Sequence, residues 1–372
     1  MRVVHVVSGR LFGGIEQMLV TIARCRSVTP AIDVQFAVAA PGRLEQELRA
    51  SGVDVVTLGD VRLSRPVSVV HARTRFVQCL ASGRSSTVAV FHAPWAFALF
   101  APVARRKGVP VVLWQHDHAS GRTLVERWAR TTRADLVICN SKWTAKTAAA
   151  LQPNAVFGVI HPPVSLPFPS AGRQQIRGGL DAASDSVVIL SASRLEPWKG
   201  HLHLLRALGQ LKDLPHWRLW IAGGAQRPHE LKYEEQLRGE VARLGIELRV
   251  RFLGERRDVP ALMRAADIFC QANEGPEPFG VVFAEALLSG VPVVTMSLGG
   301  APEIVSDTCG RLVPAGDLDA LARAIRELVS DDSMRRTLGT NGPAHAAARV
   351  APDVVLPQLA RALEALTVSA AA

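Results

Sequence analysis

The stretch SVVILSASRLEPWKGH, residues 186–201, reads as one strand, one turn and the first residue of a helix. Val187, Val188, Ile189 and Leu190 form a short apolar run. Pro197 and Gly200 then punctuate the chain before a helical pattern begins near His201. A strand that turns directly into a helix is half of a βαβ unit, and repetition of that unit builds a parallel sheet covered by helices. The unit repeats in both directions. Downstream, strands are expected at 218–221, 250–252, 268–270, 292–295 and 311–313, after the one at 186–191; upstream they fall at 3–7, 33–38, 53–57, 88–91, 111–114 and 136–139, with helices at 16–24 and 44–51 among them. Two such sets make an α/β protein with two Rossmann-like, doubly wound parallel sheets. Length agrees, because 372 residues exceed one comfortable core at roughly 100–200 residues per domain. Between the sets, residues 161–169 hold four prolines in nine positions, a density that continues neither a helix nor a central strand. The boundary is therefore expected near residue 165, giving an N-terminal domain over 1–165 and a C-terminal domain over 166–350.

Composition narrows the class. Hydrophobic residues are 48% and charged residues 20% of the chain, which excludes disordered, collagenous and coiled-coil proteins. Five cysteines, an odd number with no CxxC pair, exclude a disulfide scaffold and a structural zinc site and fit a reducing cytoplasm. The opening MRVVHVVSGR is too short in apolar residues for a signal peptide and reads as a first strand. Residues 88–104 are uncharged and mostly apolar, but His92, Pro94 and Pro102 interrupt them, so no spanning helix is expected.

Net charge is +10, and it is one-sided. Residues 1–165 carry 20 Lys and Arg against 9 Asp and Glu, whereas the remainder carries 23 against 24. Such a field suits an anionic partner: a phosphorylated small molecule or an acidic membrane surface. Trp95, Phe97, Leu99 and Phe100 run into Arg105-Arg106-Lys107, which reads as a core helix between two strands exposing only its last turn, with membrane contact by an apolar stretch with a cationic end as the alternative. Nucleic acid is not expected, since aromatics are 5% of residues and no basic run is interleaved with stacking rings.

Four segments carry candidate chemistry. SGRLFGGIEQ, residues 8–17, turns the first strand into the first helix; Gly13 and Gly14 allow close backbone approach, and the helix start favours an anion. In residues 191–200, Arg194 and Lys199 stand five residues apart on a turn at the carboxyl end of a strand, where an Arg clamp and a Lys point charge can meet one phosphate. EGPEPFGVVFAEALL, residues 274–288, places Glu285 in an otherwise apolar helix, where an unpartnered carboxylate is costly and needs hydroxyl or cationic partners, a ribose diol being one that would serve. Glu277 precedes that helix and can accept from sugar hydroxyls, while Phe279, Gly280 and Val281 offer backbone donors. Residues 298–305, LGGAPEIV, bring Gly299 and Gly300 to another strand end, where backbone can line a polar ligand. His92 and His116 also follow strands, although His116-Asp117-His118 alone does not build a metal site.

Together these segments resemble a retaining glycosyltransferase of family 4, whose GT-B fold has two facing Rossmann-like domains. The most specific element is Glu277 with Glu285 eight residues on, and Pro278-Phe279-Gly280 between them. Gly13-Gly14-x-Glu16, Ser193-Arg194 with Lys199-Gly200, Asn140-Ser141-Lys142-Trp143-Thr144, and Gly299-Gly300-x-Pro302-Glu303-Ile304-Val305 match in the same order. The resemblance implies that Arg194 and Lys199 hold a donor diphosphate with Gly13 and Gly14 nearby, that Glu285 binds the ribose and that Glu277 binds the transferred sugar. It implies a catalytic set of His116, Glu277, Arg194 and Lys199, with Glu16 and His92 toward the acceptor. It further implies residues 351–372 as a helix crossing back to the N-terminal domain, a nucleotide-sugar donor, a glycan or lipid-linked acceptor, no cofactor and no metal. The expected place is the cytoplasm, including the inner membrane face. The alternatives are a GT-B nucleotide-sugar epimerase or hydrolase and a non-catalytic membrane-associated relative.

Overall fold

The computed structural model describes residues 1–81, 86–167, 171–225 and 227–369, which form two compact units. The first comprises Met1–Val164 and the stretch from Val350; the second is Ser165–Arg349. Part of the proline-rich segment, residues 168–170, lies outside the described residues.

The first unit is built on a parallel sheet of β1 (Arg2–Val7), β2 (Asp33–Val38), β3 (Asp54–Thr57), β4 (Thr87–Phe91), β5 (Val111–Gln115), β6 (Leu136–Cys139) and β7 (Val156–Val159), in the order β3-β2-β1-β4-β5-β6-β7. The second has β8 (Val187–Ala192), β9 (Trp217–Ala222), β10 (Val250–Gly254), β11 (Ile268–Gln271), β12 (Val293–Met296) and β13 (Gly310–Val313), in the order β10-β9-β8-β11-β12-β13. Each sheet starts in its middle and reverses direction there, between β1 and β4 and between β8 and β11. In open parallel sheets ligands sit beyond the carboxyl ends of the strands at such a switch. Gly13-Gly14 follows β1, His92 follows β4, Arg194 and Lys199 follow β8, and Glu277 follows β11.

Helices on both faces explain why the strands read as continuous apolar runs. On one face of the first sheet, Met18, Leu19 and Ile22 of the helix Gly14–Arg24 pack with Val3, Phe36 and Val90, and Val355, Leu356, Leu359 and Leu363 of the helix Pro352–Ser369 join the same cluster. On the other face, Phe76, Phe97 and Phe100 pack with Val4, Val6 and Phe91. The second unit has its own core, in which Leu204, Leu208 and Ile325 meet Trp217, Leu219 and Ile221.

One expectation changes and another is met. The strand β7 has no counterpart in the sequence reading, because Val156, Phe157 and Val159 are exposed on an edge and Gly158 interrupts them, so neither alternation nor a buried run marks it. The apolar residues before Arg105 form the expected core helix, Pro94–Arg106, where Phe97, Leu99 and Phe100 are fully buried. Only its cationic end, Arg105-Arg106-Lys107, is exposed, so the membrane reading keeps its charge argument and loses its apolar one. Among the described residues no helix is long and apolar enough to cross a membrane.

Candidate active site

In the second unit, two motifs 78 residues apart in the chain are joined. The carbonyl of Trp198 accepts from the backbone N–H of Glu274 (2.8 Å) and Gly275 (3.3 Å), drawing the turn after β8 against the loop after β11. Lys199 Nζ then reaches Glu277 Oε2 at 2.7 Å, both side chains being largely buried. The same oxygen accepts from Asn273 Nδ2 at 3.1 Å and from Gln271 Nε2 at 3.4 Å. Three donors therefore fix Oε2, and among the described residues Oε1 accepts no hydrogen bond, which leaves it for a hydroxyl. Arg194, on the same turn as Lys199, is held at 2.6 Å by Glu196 Oε1, while Glu196 Oε2 accepts from Trp198 Nε1 at 2.6 Å. The Trp198 ring lies 3.9 Å from Lys199 Nζ, a cation–π contact that steers the ammonium.

The helix Val281–Leu288 starts at Gly280, whose φ of +94° is left-handed, with Phe279 buried immediately before it. Its first N–H groups have no helical acceptor, the condition for holding an anion. Glu285 lies one turn along. It is partly exposed by area, yet enclosed deeply enough that desolvation pushes its carboxyl up to about 7. Among the described residues its carboxyl has no hydrogen-bond partner. Gly299 and Gly300 have a different role from the expected ligand-lining one. Gly299 pairs with Glu277 as a parallel bridge, Gly300 N–H donates to the Glu277 carbonyl at 2.7 Å, and a Cβ on Gly299 would fall 2.1 Å from that carbonyl oxygen. The glycines are small so that the backbone carrying Glu277 can lie against them.

In the first unit, His116 follows β5 and its backbone is fastened: Asn140 Nδ2 donates to the His116 carbonyl at 3.0 Å, and Asn140 Oδ1 accepts from Thr144 Oγ1 at 2.8 Å. Ser141 caps the next helix by accepting from Thr144 N–H at 3.0 Å. The motif at 140–144 thus holds His116 in place. The His116 ring is half-buried, and burial lowers its pKa to about 3, so it is neutral. Gly13 and Gly14 are exposed at the start of their helix. Glu16, expected toward the acceptor, folds back so that Oε2 accepts from Gly13 N–H at 3.0 Å, closing the helix start. His92, also expected toward the acceptor, is 2% exposed, and both of its ring nitrogens are engaged, Nε2 with His5 Nδ1 at 2.9 Å and Nδ1 with His116 Nε2 at 3.0 Å. No nitrogen is left for an acceptor, and His92 is corrected to a supporting position behind His116.

Sequence reasoning missed Gln271, Asn273, Glu196 and His5. Gln271 and Asn273 were marked only by polarity at the end of a buried strand, and His5 only by sharing strand parity with the apolar positions of β1.

Two Rossmann-like parallel sheets, with cations, carboxylates and glycine turns at the carboxyl ends of their switch-point strands, define the class as a glycosyltransferase of the GT-B fold. The description "Glycosyl transferases group 1" matches residues 172–345, and "Glycosyltransferase Family 4" matches residues 12–167. The GDP-mannose-dependent alpha-(1-6)-phosphatidylinositol monomannoside mannosyltransferase of Mycolicibacterium smegmatis is 33% identical over 276 residues, 68% of this chain and 69% of that protein. The lipopolysaccharide core biosynthesis mannosyltransferase LpsB of Rhizobium meliloti is 32% identical over 241 residues, 63% of this chain and 65% of its own length. Among solved structures, Anabaena Alr3699/HepE in complex with UDP and glucose superposes with a TM-score of 0.85 at 27% identity, covering 98% of this chain and 99% of that one. The chain belongs to glycosyltransferase family 4. The epimerase or hydrolase and non-catalytic alternatives are not favoured by these relatives.

Proposed function

We propose that this glycosyltransferase moves a hexose from a nucleotide diphosphate sugar to a glycan or lipid-linked acceptor, with retention at the anomeric carbon and without a metal ion. The observation that carries the reading is the Lys199–Glu277 contact, in which a phosphate-binding cation and a hydroxyl-binding carboxylate from separate motifs stand 2.7 Å apart. A sugar diphosphate presents those two chemistries side by side. The relatives support it: one is a GDP-mannose-dependent mannosyltransferase and one was solved in complex with UDP and glucose.

In this reading Lys199 and Arg194 meet the diphosphate, helped by backbone N–H groups at Phe279, Gly280 and Val281. Glu277 accepts from the transferred sugar through Oε1. Glu285 accepts from the ribose diol, which supplies the two donors its carboxyl lacks. As the bond from sugar to phosphate breaks, negative charge grows on the leaving diphosphate, so the two cations stabilise the transition state more than the ground state. His116, neutral and fixed through its carbonyl by Asn140, is the side chain of the first unit assigned to act on the donor sugar. Retention follows from attack on the face of the leaving group, with its phosphate oxygen receiving the acceptor proton. The charge excess of residues 1–165 supports docking on an anionic membrane; flotation with anionic vesicles at low salt that is lost at high salt is expected, and its absence at both would remove that part.

A thermal-shift panel of UDP-, GDP- and ADP-sugars tests the donor. One donor should raise the melting temperature, since a ligand of the native state stabilises by mass action, and should turn over slowly without acceptor. Turnover should persist in EDTA and vanish in Lys199→Ala and Glu277→Ala. Full turnover in both folded variants would overturn the reading.

A further inference from the structure

Three histidines of the first unit form a continuous hydrogen-bonded chain. His5 lies within β1, His92 just after β4 and His116 just after β5, on three strands that neighbour one another in the sheet. His5 Nδ1 and His92 Nε2 are 2.9 Å apart, and His92 Nδ1 and His116 Nε2 are 3.0 Å apart. Consecutive rings are near-parallel, with centroids at 5.1 Å and 5.2 Å, between Phe36 stacked on His5 and Trp114 stacked on His116. Among the described residues the Nδ1 of His116 makes no hydrogen bond, so the chain ends there.

We propose that His5 and His92 are positioning residues for His116, and that the three rings change tautomer only together, so that His5 governs whether His116 Nδ1 presents a proton or a lone pair. The inference rests on the reading that His116 acts on the donor sugar. Each neutral imidazole has one N–H and one bare nitrogen. His92 bonds at both nitrogens, so it must donate through one and accept through the other. If it donates to His116 from Nδ1, then His5 donates to it from Nδ1 and the proton of His116 sits on Nδ1 as well. In the opposite register, His116 and His92 both donate from Nε2, the proton of His5 also lies on Nε2, and His116 Nδ1 is an acceptor. Both registers therefore give all three rings the same tautomer. Any mixed pattern would leave an N–H facing an N–H, a lone pair facing a lone pair, or a charged His92. Charge is opposed by burial, which holds His5 and His116 down to about 3 and His92 well below its ordinary value. A concerted shift of two protons, each leaving one nitrogen for the next, interconverts the registers with no ring ionised, provided that His116 Nδ1 and His5 Nε2 exchange one proton with a hydroxyl or water.

The test uses the intact protein with ¹⁵N-labelled histidine. Long-range proton–nitrogen correlations report which nitrogen of each ring is protonated. The expectation is one tautomer, or one common ratio, for all three rings; unlike tautomers in the wild-type protein overturn the proposal without any variant. His5→Phe removes both nitrogens and keeps the stacking. It should change the tautomer ratio of His116 and lower donor turnover about tenfold in kcat, with the KM for the donor little changed. His5→Asn, which keeps a polar group near the Nδ1 position, should recover most of that loss. Phe36→Leu disturbs the same packing without touching the chain and should leave the His116 ratio as it was. An unchanged His116 ratio in folded His5→Phe and His92→Phe overturns the coupling. If the ratios move together while His116→Ala retains full turnover, the coupling stands and the assignment of His116 to the donor sugar falls.

Discussion

Glu285 and the Lys199–Glu277 pair pose opposite problems at the scale of single residues. A Glu285 carboxyl raised to about 7 keeps its proton in the folded protein between pH 4.5 and 7, where the unfolded chain has released it. Stability therefore falls as pH rises through that window, by at most about 3 kcal/mol, and the penalty is complete above pH 7. Glu285→Gln should gain stability over wild type at pH 8 and show little difference at pH 5, read by denaturant melts at both values. A ribose diol donates to the ionised carboxylate, so donor affinity in the wild type should drop up to about tenfold from pH 8 to pH 6 and stay flat in Glu285→Gln. Equal slopes in the two proteins would detach Glu285 from the ribose. The Lys199–Glu277 pair is largely buried, and removing Lys199 leaves Glu277 a buried carboxylate held only by the neutral amides of Asn273 and Gln271. Lys199→Met should cost roughly 1–3 kcal/mol, while Lys199→Met combined with Glu277→Met should regain most of it and still fail to turn over donor. That divergence separates the role of the pair in binding from its role in folding.

Among the elements, the turns differ in what their glycines are for, and the difference is measurable. Gly299 has φ +67°, and a Cβ there would meet the Glu277 backbone at 2.1 Å. Gly299→Ala combines left-handed strain with overpacking against backbone and should cost about 3 kcal/mol or more in chemical denaturation. Gly13 has an extended φ of −151°, and its added Cβ would meet only Glu16 Oε2 at 3.7 Å, so Gly13→Ala should change stability by less than about 1 kcal/mol while weakening donor binding if the backbone there approaches phosphate. Both glycines stand out equally in the sequence. The sheet strands were legible because burial on two faces writes them as apolar runs, and β7 was not, since an exposed edge writes nothing. Arg194, Lys199 and Glu277 were legible as residue types at strand ends. That Gly299-Gly300 supports the backbone of Glu277, that Asn140 ties down the carbonyl of His116, and that Glu16 closes its own helix depend on partners 3 to 24 residues away meeting in space, which spacing alone does not encode.

For the whole chain, the path of the backbone matters more than any motif. The first unit is left at Val164 and rejoined at Val350, where Val164 N–H donates to the Val350 carbonyl at 2.8 Å. The closing helix Pro352–Ser369 then lays Val355, Leu356, Leu359 and Leu363, each at most 5% exposed, into the cluster around Val3, Phe36 and Met18. Burying such side chains contributes about 1.5–3 kcal/mol each, an upper estimate because the unfolded chain already hides some of this area. Four of them approach the whole stability of an ordinary domain, about 5–15 kcal/mol. A chain ended after Val350 should therefore lose the first unit, with its Trp114 and His5 environment exposed, while the core of the second unit, which draws on Leu204, Trp217 and Ile325, stays cooperative. Limited proteolysis of the truncated chain should then leave a protected fragment close to Ser165–Arg349 and degrade the rest. Ending the chain after Thr367 instead removes none of the four buried anchors and should leave the melting curve unchanged. A truncation at Val350 that kept the first unit resistant to protease would mean that the sheet face under the helix can stand open to water, contrary to the burial that defines it.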